Sequence, residues 1–407
     1  MKNAARNSQP KQRTETTVSS GQLSIPAVFM RGGTSKGLFF HARDLPVEAE
    51  RRNAIFRAAL GSPDRYGRQL DGMGGGLSSL SKAVVIGPPT RDDADLDYLF
   101  AQVSVGSDLV DYGGTCGNLV SAVAQFAVDE ALVPASGDST EIRIHAVNTG
   151  QIIVAHVLVQ NGRARCEGDL SLPGVSGSGA PIRLAFLSPD GSRTGRMLPT
   201  GRPADSLDIG PFGTVRASLV DAANPCVFVT AEDVGLTGAE LPEALDADAR
   251  SRAMLEAIRA AAGVRMGFGE TPEAVSRTSP SSPKVALVAP PLAMPTLSGT
   301  RLNADAMDIA LRMISMGQAH RAAPLTGALC TAVAAAIPGT VVQAVRSKSA
   351  DQGNELRIGT ASGVVPVAAN MVGQGGELRT GSAVAFRTAR RLMEGNVLVP
   401  EMNLRRV

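Results

Sequence analysis

Cys116 lies in Gly113-Gly114-Thr115-Cys116-Gly117-Asn118, directly before an apolar stretch of small residues. Glycines let backbone N–H groups converge on a ligand without Cβ obstruction. A helix beginning here would present unpaired N–H donors and a partial positive charge. Such a turn binds carboxylates and favours thiolate over thiol. Cys116, Gly117 and Asn118 are therefore candidates for an acid/base group and an anion cradle in one turn. The plain alternative is a buried structural cysteine beside a glycine cap.

Lys82 is a second candidate. It follows the glycine-dense Asp71-Gly72-Met73-Gly74-Gly75-Gly76 and the serines Ser78-Ser79, and it begins the apolar run Ala83–Ile86. A lysine becomes a proton donor or acceptor near neutral pH when burial or cationic neighbours bring its pKa to roughly 7–8. In Arg31-Gly32-Gly33-Thr34-Ser35-Lys36-Gly37 the GxxxxGK[ST] spacing is missing and a strand follows, which excludes a nucleotide P-loop. Arg31, Ser35 and Lys36 are instead expected to clamp a carboxylate, and Ser78 to add a hydroxyl donor. In the second half Met316, His320, Thr326 and Gly327 are the candidate substrate-binding residues.

Apolar patterning places these residues on elements. Strands are expected at Ile25–Phe29, Leu38–Phe40, Ala83–Ile86, Phe100–Val105, Ile142–Val147, Ile152–Leu158 and Ala164–Asp169. More follow at Thr214–Leu219, Val227–Thr230 and Lys284–Val288. Helices are expected at Val47–Leu60, Leu119–Leu132, Leu241–Ala262 and Ala304–Ile314, with another at the end of Met316–Ile337. Ser121-Ala122-Val123-Ala124 resembles Thr331-Ala332-Val333-Ala334 at an offset of 210 residues. The repeat predicts two related halves, each with a buried helix beginning at a glycine turn. It puts Thr326-Gly327 opposite Cys116-Gly117. Threonine is a poor base near neutral pH, so a two-thiol racemase or epimerase is not expected.

Composition narrows the classes. The chain has 407 residues, enough for two domains. Aromatic residues are 3% and Trp is absent, so the cores must be aliphatic. A net charge of +2 argues against nucleic-acid or membrane-surface binding driven by bulk charge. The four cysteines and four histidines are scattered, with no metal-ligand spacing. No stretch approaches the ~20 apolar residues that span a bilayer. Residues 1–22 read as a disordered polar tail, 23–185 as an N-terminal domain and 186–407 as a C-terminal one. A cytoplasmic location is the default expectation.

Several segments carry a family resemblance. They are Ile25-Pro26-Ala27, Met30 to Gly37, Asp71 to Gly75, Ser78 to Lys82, Thr115 to Asn118, Asn148-Thr149-Gly150, Gly168-Asp169, Leu198 to Gly201, Ser315 to His320 and Ala389 to Gly395. Together they resemble the PrpF family, from about residue 25 to residue 400. That family includes 2-methylaconitate cis–trans isomerases, 4-oxalomesaconate tautomerases and methylitaconate Δ-isomerases. The resemblance implies an α+β fold like that of diaminopimelate epimerase: two pseudo-symmetric domains, each a curled sheet around a central helix, with the site in the cleft. It implies Lys82 and Cys116 as the catalytic pair, no metal and no cofactor. The first half, around Leu96–Gln102, Val110–Gly113 and Gly177–Ile182, looks like the tautomerase branch, and the second half more like the methylaconitate branch. The expected activity is allylic isomerisation of a small unsaturated polycarboxylate, first of all 2-methylaconitate, with 4-oxalomesaconate tautomerisation as the alternative. A non-catalytic carboxylate-binding accessory of an aconitase-like enzyme is the rival from another class. Expected partners are the polycarboxylate, a second copy of the chain and an aconitase-like enzyme.

Overall fold

The computed structural model describes residues 18–19, 21–135, 137–347 and 355–401. Most of the expected tail lies outside the described residues, and strand pairing already starts at Val18 and Ser19, opposite Leu23 and Gln22.

Two buried helices organise the chain. The first central helix, Gly117–Asp129, is buried from Gly117 through Val128. The second, Leu325–Ala336, is buried from Leu325 through Ala335. A helix enclosed on every side must be apolar all round, and small side chains let its surroundings approach. Both sequences meet these demands, with Ser121-Ala122-Val123-Ala124 in one and Thr331-Ala332-Val333-Ala334 in the other.

Strands wrap each helix in the same series. In the first half Gln22–Gly32 is antiparallel to Ser35–His41, which is parallel to Lys82–Gly87. That strand is antiparallel to Leu96–Val103, which is parallel to Ser139–Ala146. In the second half Thr214–Ala222, Asn224–Thr230, Lys284–Ala289, Ile309–Ser315 and Glu355–Thr360 repeat that order and those senses. The weak sequence repeat is thus a structural one.

The halves share a core. Leu119 and Phe126 of the first helix join Phe186 and then Leu325 and Val333 of the second. They also share strands. Ile182–Leu187 pairs with Gln151–Gln160 on one side and Arg379–Arg387 on the other. The last strand, Ala389–Pro400, pairs along all of Gln22–Gly32, so residues numbered beyond 186 complete the sheet of the first half. Among the described residues no helix is long and apolar enough to cross a membrane.

The expected helix at Ala304–Ile314 is instead a 3₁₀ turn, Ala304–Ala306, followed by the strand Ile309–Ser315. Every residue of that strand is buried. Ile309, Leu311 and Met313 face the main core, while Ala310 and Ile314 enter two other clusters. Between them Arg312 is buried and donates from Nε to Glu240 O at 2.6 Å. A strand covered on both faces loses the alternation that would reveal it. The expected helix at Leu241–Ala262 is two helices, Pro242–Ala247 and Ala249–Arg265, divided at Asp248. The Asp248 carboxylate caps the second by accepting from Arg250 and Ser251 N–H. Of the expected strand Ala164–Asp169, only Arg163–Ala164 pairs at its start.

Candidate active site

A cavity of about 470 Å³ lies where the two central helices begin. Ser35, Ser78, Lys82, Cys116, Gly117 and Asn118 line it from the first half, and His320 and Thr326 from the second. The helix starts nearly touch: a Cβ on Gly117 would lie 2.9 Å from Thr326 Cγ2. The first N–H groups of each helix have no intrahelical partner, so two sets of donors converge here.

Close approach of backbone to helix sets the first-half wall. Gly33 has φ +50°, and a Cβ there would sit 2.4 Å from Asn118 Oδ1; one on Gly32 would sit 2.6 Å from Asn118 O. Gly33→Ala is therefore expected to destabilise the protein by about 2–4 kcal/mol, through overpacking and left-handed strain. Denaturant unfolding checks this, and an unchanged midpoint would show that the loop yields freely.

Cys116 is the N-cap residue of the first central helix, and its side chain makes no capping bond. Its Sγ lies 3.8 Å from Ser35 Oγ. The Asn118 side chain is held by the protein: Nδ2 donates to Thr34 Oγ1 at 3.0 Å, and Oδ1 accepts from Arg387 Nε at 3.0 Å. What Asn118 can offer a ligand is its backbone N–H.

Lys82 is 6% exposed and opens the strand Lys82–Gly87. Its Nζ donates to Gln102 Oε1 and lies 5.0 Å from the centre of the Phe100 ring. Burial brings its pKa down to about 8; nearby Cys116 opposes that fall and Lys284 adds to it. An amine with such a pKa exchanges protons readily near neutral pH.

Lys284 was not foreseen as a site residue. It opens the strand Lys284–Ala289, the counterpart of Lys82–Gly87, and lines the same cavity. Its Nζ donates to Ser281 O at 3.2 Å and Ser315 Oγ at 3.0 Å. Burial lowers its pKa, against the pull of Cys226, Cys116 and Asp111. The signal was in the sequence: Lys82-Ala83-Val84-Val85-Ile86 and Lys284-Val285-Ala286-Leu287-Val288 both follow serine-rich loops. Asn224, Ser282 and Arg321 also line the cavity without lying in a motif that sequence reasoning singled out, and Gln102, which ends the segment Leu96–Gln102 that resembles the tautomerase branch, lines it without having been named as a site residue.

Polar atoms aimed at nothing within the protein mark the second-half wall. His320 Nε2, Asn224 Oδ1 and Ser282 Oγ are buried without a hydrogen-bond partner. Burial, together with Lys284, Lys82 and Arg321, holds the His320 imidazolium pKa well below its ordinary value, so the ring is neutral. Asn224 Nδ2 donates to Thr326 Oγ1 at 3.2 Å, which turns its carbonyl free.

Four expected binding residues lie off the cavity wall. The Arg31 guanidinium donates to Gly33 O at 3.0 Å and Thr388 O at 2.9 Å, so it fastens the glycine turn to the last strand. Lys36 lies across the ladder from Arg31 and stacks its Nζ 5.5 Å over the Phe29 ring. Met316 and Gly317 form a tight turn with φ of 55° and 71°. Gly327 faces Met313, whose Cε lies 2.7 Å from where a Cβ would be. Cys330 is buried in the core with Sγ 3.5 Å from Val220 O. Thr326 rather than Cys330 reaches the cavity, and Cys116 is the one thiol on its wall.

The arrangement can move protons beside a bound polyanion. Comparison with known proteins places the chain among isomerases. The chain is 41% identical over 386 residues to a 3-methylitaconate isomerase of Eubacterium barkeri, covering 95% of this chain and 100% of that one. It is 40% identical over 393 residues to a 2-methyl-aconitate isomerase of Shewanella oneidensis, covering 93% and 98%. A 4-oxalomesaconate tautomerase of Pseudomonas putida is 38% identical over 379 residues, covering 93% and 97%. The crystal structure of a methylitaconate Δ-isomerase superposes with a TM-score of 0.75 at 40% identity, covering 95% and 98%. A hydroxyproline epimerase of Agrobacterium vitis, 10% identical, shares the fold with a TM-score of 0.50 over 94% of each chain. The PrpF protein family model matches residues 22–400. This chain is an isomerase and belongs to the PrpF family.

Proposed function

We propose that this isomerase moves a proton along the allylic system of a small unsaturated di- or tricarboxylate, with 2-methylaconitate as its first candidate. The observation that carries this reading is that Lys82 and Cys116 line one cavity into which two helix N-termini point. One of the pair takes a proton from the carbon next to the double bond. The C–H electrons form a new double bond, and the old one shifts its electrons toward the conjugated carboxylate. The resulting dienolate is protonated at the other end of the allyl system, or at the same carbon after rotation. The N–H groups at Gly117 and Thr326, with Lys284 and His320, offer donors where negative charge gathers. A second reading, 4-oxalomesaconate tautomerisation, draws support from the Pseudomonas putida relative and from the first-half segments that look like its branch.

The test is turnover in D₂O with 2-methylaconitate, methylitaconate, 4-oxalomesaconate and trans-aconitate, followed by NMR. Deuterium is expected at allylic carbons, with the fastest turnover on 2-methylaconitate. Faster turnover of 4-oxalomesaconate would favour the second reading. Absence of exchange with all four acids would overturn both.

A further inference from the structure

Lys82 Nζ has a side-chain acceptor whose orientation is dictated by its surroundings. Gln102 lies directly across the ladder from Lys82. Its Nε2 donates to Ser78 O at 3.0 Å and to Ser81 O at 2.9 Å. Two carbonyls on one side can be met only by the NH₂ end of an amide. Gln102 Oε1 is thereby turned toward Lys82, whose Nζ donates to it. The turn that supplies the two carbonyls is itself clamped. Gln69 Nε2 donates to Ser81 Oγ at 2.7 Å and Ser62 Oγ at 2.8 Å, and its Oε1 accepts from Gly76 N at 3.0 Å.

The second half provides a contrast. There the corresponding lysine, Lys284, meets the backbone carbonyl of Ser281 and the hydroxyl of Ser315, the latter a group that can rotate. The two lysines hold equivalent places in the fold, yet only Lys82 faces a side-chain carbonyl fixed in direction. With the Phe100 ring 5.0 Å away, the positions left on Nζ are those open to the cavity.

We propose that Gln102 is the positioning residue for proton transfer at Lys82, its oriented carbonyl holding Nζ against the cavity wall. This rests on the reading of Lys82 as a proton-transfer group. Gln102 favours the protonated amine as an acceptor and fixes where the transferred proton leaves or arrives.

Two substitutions should act in opposite directions. Gln102→Leu removes an acceptor from the ammonium, so Lys82 should titrate at lower pH. Gln102→Glu sets a carboxylate beside it, so Lys82 should titrate at higher pH, by about one unit or more. The Lys82 limb of the kcat/KM pH profile should move accordingly, and kcat of Gln102→Leu should fall about 10- to 100-fold with KM little changed. A titration of ¹³C-labelled lysine by NMR in the substrate-free enzyme, assigned with Lys82→Met, reads the same shift without activity. A merely structural role would lower stability or activity and leave the Lys82 titration in place; that result overturns the proposal. If Gln102→Leu does not fold, Gln102→Met, which keeps the length of the side chain without its carbonyl, takes its place in both measurements. Retained activity in Lys82→Met would instead sink the proton-transfer reading, while the NMR titration would still show whether Gln102 governs Lys82.

Discussion

Lys82→Arg is expected to be as inactive as Lys82→Ala, both falling by about 10²–10⁴-fold in kcat. The comparison separates two roles that alanine alone confounds. If Lys82 only attracted a carboxylate, a guanidinium would restore much of the binding. If it exchanges a proton, arginine fails, because it does not deprotonate in the working range. With a pKa of about 8, roughly a tenth of Lys82 is the free amine at pH 7, so both proton states are present in quantity. The same burial that brings the pKa down also sets a stability cost. From about 8 up to the ordinary 10.5, the unfolded chain holds a proton that the folded chain has released. The unfolded state then binds more protons, so stability rises with pH through that window and is lowest for this group below it. Lys82→Met should therefore be inactive and yet unfold at a higher temperature at pH 7 than the parent protein. Thermal melts at pH 7 and pH 10 check this, since the gap between the two proteins should narrow at the higher pH. A melt lower at pH 7 for Lys82→Met would show that the ammonium is a net stabiliser.

Cys116→Ser should show the second large effect, a loss of about 10²–10³-fold in kcat with stability maintained or raised. The exchange replaces a thiol by a hydroxyl too weakly acidic to trade protons with a carbon acid near neutral pH. Structurally it is mild, because Cys116 already occupies the N-cap and leaves that cap unbonded. Serine is among the better N-cap residues, worth up to about 1 kcal/mol there. Activity and stability should thus move apart, as they do where a residue is kept for chemistry rather than folding. Steady-state kinetics beside a melting curve decide it. A variant that loses activity only in proportion to lost folded protein would remove Cys116 from the chemistry.

Why these two residues were legible, and others were not, follows from how each is placed. Cys116 and Lys82 sit beside glycine-dense turns, where backbone demands leave a mark in the local sequence. Arg31 lies in the same kind of turn, but its charge is used on the carbonyls of Gly33 and Thr388. Residue type suggested a ligand for it; strand geometry gave it a structural task. Lys284 follows a serine-rich loop interrupted by Pro280 and Pro283 and lies in none of the motifs of the family resemblance, although Ser281 and Ser282 of that loop line the cavity. Asn224 and Gln102 stand on strands far from either motif, and only the pairing of those strands brings them in. The paired buried helices were readable from small apolar residues at a fixed offset. The strand Ile309–Ser315 was not, because burial on both faces makes its sequence indistinguishable from a buried helix.

The pairing of Gln22–Gly32 with Ala389–Pro400 bears on how the chain holds together. The two strands of this pair stand far apart in the sequence and meet only in the folded sheet. Without Ala389–Pro400, Ile25, Val28 and Met30, all buried in the folded protein, would belong to a strand with one edge unmet. The first half on its own lacks a strand of its sheet, unlike an N-terminal domain that folds as a unit. What reads in sequence as two successive units is thus tied together by long-range strand pairing. Gly21 O and Glu401 N close the circle with a 2.9 Å hydrogen bond.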